Sequence, residues 1–147
     1  MKRFLLSLPV LFVFSTLLSA QTLTLSPLFS NNMVLQQKSA ASWWGTASPG
    51  TSVNITASWG ATASAIADEK GAWMCALNAP AAGGPFSVTV KTGDTAITIS
   101  DVYSGEVWLC SGQSNMEMPM RGFSAKDSID GGTIDILPAQ FPALRIF

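Results

Sequence analysis

The residues whose types and spacing suggest bond-making chemistry are Gly112-Gln113-Ser114-Asn115-Met116. A serine at a turn from strand to helix sits among backbone N–H groups with no partner inside the helix, at the positive end of its dipole. Such groups stabilise the oxyanion formed when a hydroxyl attacks an ester carbonyl. Gly112 would let the backbone turn tightly. The same residues have a second use. Ser114-x-x-Glu117 is a capping box, with serine at the N-cap and glutamate three residues on. From the residues alone the cap is the stronger reading. The motif is not G-x-S-x-G, because Met116 holds the last place, so the nucleophile elbow of the α/β-hydrolases does not apply.

The partners such a serine needs are missing. The 147 residues include no histidine, which excludes a complete Ser-His-Asp machine within them. Two cysteines alone cannot supply the four ligands of a structural zinc site, and no metal or organic cofactor is expected. Charged residues make up only 12%, the formal net charge is −1, and like charges do not cluster. That argues against a nucleic-acid binder, which needs a basic face to neutralise phosphates.

The elements that must position Ser114 fall into two regimes. From Leu23 to about Ser100 apolar and polar residues alternate. Val53, Ile55 and Ala57 take one face and Asn54, Thr56 and Ser58 the other; Phe86, Val88 and Val90 alternate with Ser87 and Thr89. A period of two marks half-buried antiparallel strands. Turn signals at Ser48-Pro49-Gly50, Trp59-Gly60, Asp68 to Gly71, Gly83-Gly84-Pro85 and Thr92-Gly93-Asp94 recur at the spacing of a β-sandwich. Val53, Ile55, Trp73, Leu77, Phe86, Val88 and Val90 are expected to point inward. From Glu106 the pattern changes. Val107-Trp108-Leu109-Cys110 is continuously apolar, as in a strand covered on both faces. Ser111-Gly112 turns, Ser114 opens a short helix, and Pro119 stops or bends it. Strand, turn and helix are the start of an α/β layer. Leu144 to Phe147 reads as a second strand. The chain stops there without a turn or cap, which predicts that it is part of a longer protein.

At the other end, Lys2 and Arg3 precede an apolar run from Phe4 to Leu18, and Leu18-Ser19-Ala20 offers small residues for cleavage. This predicts a secretory signal peptide over 1–20, the apolar run being shorter than the roughly 20 residues of a membrane span. Secretion or periplasmic residence follows, with no membrane attachment after cleavage. Loss of the two charges Lys2 and Arg3 takes the formal charge from −1 to −3.

The stretch Glu106 to Pro119 (EVWLCSGQSNMEMP) resembles the nucleophile block of the sialate O-acetylesterase family, secreted carbohydrate esterases of the SGNH (GDSL-like) hydrolase class. Leu25 to Gln37 (LSPLFSNNMVLQQ), Trp44-Gly45-Thr46, Asp68 to Trp73, Ala82 to Val90 and Phe141 to Phe147 are similar to other parts of that family's N-terminal region. The resemblance implies a mainly β chain: an N-terminal antiparallel β-sandwich over 21–101, then over 102–147 the truncated start of an SGNH-type α/β hydrolase domain, its first strand-turn-helix. It implies that Ser114 is the nucleophile and that the Ser114 N–H is an oxyanion donor. The substrate implied is an acetylated sugar, sialic acid or a relative. The family's base histidine and its aspartate lie in a later D-x-x-H block absent from these residues, so the chain alone is expected to be inactive. Gln113 stands where many SGNH enzymes carry aspartate. The competing class is a non-catalytic secreted β-sandwich that binds glycan or serves a structural role, with Ser114 only a cap.

The remaining features have mainly structural readings. Trp73 and Trp108 lie in apolar strand contexts and read as core rather than as a sugar-stacking platform. Trp43 and Trp44 are adjacent, so in a strand one faces away from the core, with a domain interface as its possible place. Cys75 and Cys110 could pair in an oxidising compartment, but Cys75 is in phase with Trp73 and Leu77 and reads as a buried free thiol. Asn54-Ile55-Thr56 is a glycosylation sequon only in a eukaryotic secretory setting. Met116, Met118 and Met120 read as packing.

Overall fold

The computed structural model describes residues 22–124, 130–131, 138, 140–141 and 143–146. The expected signal peptide lies outside them. The described residues form two β-sheets and one helical turn. The first sheet has three strands in the order β1 (Leu23–Leu25), β3 (Ala40–Ala47), β6 (Ala72–Asn78), all antiparallel. The second has five, in the order β2 (Val34–Gln36), β8 (Thr95–Gly105), β7 (Gly83–Thr92), β4 (Ser52–Ala57), β5 (Thr62–Ile66). Its pairings are antiparallel except β2 on β8, which is parallel, with Gln36 beside Gly105. The final strand runs to Gly105, past the division expected after residue 101.

The alternation translates directly into faces. In β4, Val53, Ile55 and Ala57 are buried and Ser52, Asn54 and Thr56 exposed. Trp73, Leu77, Val88 and Val90 are also buried, while Phe86 is half-buried at one end of the sandwich, edge-on to Trp59 at 5.2 Å. One core joins both sheets: Leu23, Trp43, Trp73 and Leu77 from the three-stranded sheet meet Val53, Ile55, Val88, Val90, Ile99 and Val102 from the other. Trp43 is fully buried and stacks on Phe29 at 4.5 Å, and its neighbour Trp44 is half-exposed. Gly45 is required by close approach. A Cβ there would run into the Thr24 carbonyl oxygen of the neighbouring strand.

Two expected strands are not formed. Glu106–Cys110 has no strand structure and is exposed, with Trp108 at 81% and Leu109 at 95%. The core reading of Trp108 is therefore corrected. An apolar strand of a parallel sheet is held by neighbours on its edges and cover on both faces; among the described residues none pairs with 107–110. Of the strand expected over Leu144 to Phe147, Leu144–Ile146 has no strand partner among the described residues, and Phe147 lies outside them.

Candidate active site

Ser114 is reached through the end of β8. As the chain leaves Gly105, the next residue, Glu106, is gripped by two side chains from β2 and its end. Gln36 Nε2 donates to Glu106 Oε2 at 3.0 Å, and Gln37 Nε2 donates to Oε1 at 2.7 Å. Each glutamine also accepts a backbone N–H. Val107 N donates to Gln36 Oε1 and Ala82 N to Gln37 Oε1, both at 2.9 Å. Backbone bonds frame this clasp: Gln37 N donates to Gly105 O at 2.8 Å. The hydrogen bonds from Gln36, then Gln37, hold the Glu106 carboxyl below its ordinary value. Three of the segments that carry the family resemblance meet here, ending in Gln37 and beginning with Ala82 and Glu106.

Beyond the clasp the chain is exposed through to the helical turn α1 (Ser114–Glu117). Gln113, not Ser114, occupies the N-cap, and no side-chain capping bond forms there. The helix starts one residue earlier than the capping box requires, which puts Glu117 at N4 instead of N3. The cap reading of Ser114 is corrected on this geometry. The Ser114 carbonyl accepts from Met118 N at 3.0 Å, while its side chain is exposed and its hydroxyl has no hydrogen-bond partner among the described residues. Its N–H belongs to the first turn, where backbone donors have no intrahelical acceptor. Gly112 does not adopt a left-handed backbone. A Cβ there would lie 2.8 Å from Cγ of Met116, an exposed and flexible side chain.

A second tie brings the later residues back to β8. Arg145 donates to Asp101 Oδ2 at 3.0 Å and lies over the Tyr103 ring at 5.2 Å. The clasp and this ion pair were not found from sequence. Their partners lie 44 to 71 residues apart, and spacing carries no signal for such contacts. Cys75 and Cys110 are unpaired; partial burial pushes the Cys75 thiol up, whereas Cys110 is exposed. Among the described residues no three His, Cys, Asp or Glu side chains cluster to hold a metal ion. An open depression of about 360 Å³ on the sandwich is lined by Trp44, Ile66, Asp68, Trp73 and Met74 among others, and by none of residues 106–124.

No family model matches the chain. It is similar to the sialate O-acetylesterase of Mus musculus, 39% identical over 128 residues, covering 80% of this chain and 23% of the relative. To the sialate O-acetylesterase of Rattus norvegicus it is 34% identical over 128 residues, covering 80% and 22%. Among solved structures it is similar to a carbohydrate acetylesterase from Xanthomonas citri, with a TM-score of 0.62 and 36% identity, covering 67% of this chain and 23% of that one. The chain thus spans less than a quarter of the length of the relatives it matches. At this identity, with the structural match, the chain belongs to the sialate O-acetylesterase family.

Proposed function

We propose that the chain contributes the nucleophile and an N-terminal β-sandwich to a secreted carbohydrate esterase of the SGNH class, which removes O-acetyl groups from sialic acid or related sugars. The observation that carries this is the similarity to sialate O-acetylesterases, in a chain whose nucleophile-like block leaves the Ser114 hydroxyl exposed and without a capping bond. Ser114 Oγ attacks the acetyl carbonyl carbon and its proton passes to a histidine base. The tetrahedral oxyanion is stabilised by the Ser114 N–H and by donors from other segments. The sugar hydroxyl leaves with the proton, and an acetyl ester remains on Ser114. Water, deprotonated by the same base, then releases acetate.

These 147 residues hold no histidine, so the base comes from outside them. This fits relatives more than four times the matched length. The sandwich then ends with β8 at Gly105 and the hydrolase portion follows it, and residues 1–20 direct export. The mechanism uses no metal or organic cofactor.

The test is to express the gene product as encoded and measure acetate release from O-acetylated sialic acid, alongside the 147 residues alone. Ser114→Ala is expected to abolish release, and the 147 residues alone to show none above the uncatalysed rate. A positioned acid–base group is worth about 10²–10⁴-fold. Ser114-dependent turnover by the 147 residues alone would mean that another group serves as base.

A further inference from the structure

Ser114 stands on a stretch with a single helical turn and no strand, so its place relative to the sandwich depends on where that stretch is tied down. The clasp at Glu106 is the tie immediately before it. Both carboxylate oxygens are taken, each by a different glutamine amide, and each glutamine oxygen takes a backbone N–H. Every donor meets an acceptor in only one arrangement. Turning over either amide would set its NH₂ against a backbone N–H and its oxygen against the carboxylate. The polarity of the network is therefore fixed, and with it the direction of Val107. The Arg145–Asp101 pair holds the later residues to the same strand, five residues before Glu106.

We infer that Gln36, Gln37 and Glu106 are positioning residues for Ser114, setting the direction in which the nucleophile's segment leaves the sandwich. The inference rests on the reading of Ser114 as nucleophile. The clasp links β2, the entry to β7 and the exit from β8, so the sandwich acts as the mount of the catalytic serine. Its side chains lie at the surface, outside the core, and the network therefore contributes to aim far more than to the stability of the sandwich.

The test compares three variants of the gene product as encoded, with 4-nitrophenyl acetate as probe. Glu106→Gln keeps the shape but sets an NH₂ against one of the glutamine amides. Adding Gln37→Glu restores a donor and an acceptor to every bond. Glu106→Gln is expected to lower kcat about tenfold or more, since small misplacements of reacting groups are costly. KM should stay within about twofold, the unfolding midpoint of the sandwich should not move, and the double variant should recover most of kcat. The positioning role is overturned if Glu106→Gln leaves kcat within about twofold of wild type. It is equally overturned if the exchange fails to restore kcat, or if the loss follows a matching fall in the unfolding midpoint. Ser114→Ala separates the two readings. Activity that survives it, or a wild type without turnover, overturns the nucleophile reading and this inference together. Loss in Ser114→Ala beside full activity in Glu106→Gln overturns the positioning role alone.

Discussion

Ser114 and Glu106 show how differently two residues of one block are exposed to sequence reasoning. Ser114 was legible as a serine at a helix start, because the turn glycine and the residues after it are local. Whether its side chain caps that helix was not, since a one-residue shift of the helix start decides it. Glu106 gave no local sign of its role, because its partners arrive from β2. Its acid–base behaviour is testable directly. Hydrogen bonds from Gln36 and Gln37 lower its folded value, and the neighbours that face it are both neutral amides. A lowered carboxyl value means that the clasp is fully present above the ordinary carboxylate range. It is lost as pH falls through the lowered value. Side-chain amide shifts of Gln36 and Gln37, followed by NMR, are expected to stay constant from neutral pH down into that range and to move below it. A transition on raising the pH above neutral would contradict the assignment.

The strands of the sandwich were legible because each buries one face. Val53, Ile55 and Ala57 alternate with polar residues, and a slip of one place would turn all three outward. The adjacent pair Trp43-Trp44 resolved as strand geometry demands, one buried and one half-exposed. What was not legible is the parallel β2–β8 pair, since three residues are too few to show a period. The run Val107–Cys110 was misread for a physical reason. An apolar run states what a strand would need around it, not whether the neighbours are there. Leu77, fully buried in β6, is the sharpest probe of the strand reading. Leu77→Ala is expected to destabilise the sandwich by about 2–5 kcal/mol, measured by denaturant unfolding. A cost below about 0.5 kcal/mol would place it at the surface instead. Limited chymotrypsin digestion probes the exit segment. First cuts are expected after the exposed Trp108 and Phe123, with residues 22–105 kept together within one resistant piece. Early cleavage inside the strands would contradict the sandwich as the stable unit.

At the scale of the molecule, the two sheets close over one core, and two of the ties that hold later described residues lie on the last strand and just past its end. Most of the large apolar side chains left exposed among the described residues, such as Val107, Leu109, Met116, Phe123, Leu144 and Ile146, lie outside the sandwich; Leu28, Ile66 and Met74 are the exceptions. The sandwich and the family could be read from these residues, but the strand expected at Val107–Cys110 did not form; a base for Ser114 could not be read, because no histidine is among the 147 residues. The central claim is that Ser114 attacks an acetyl ester. It is tested most directly by quenching the gene product in mid-turnover with O-acetylated sialic acid and mapping acetylation by peptide mass spectrometry. One acetyl group is expected on the peptide containing Ser114, absent in Ser114→Ala. Turnover with acetate released and no acetyl group ever found on Ser114, or on a different serine instead, would contradict the account.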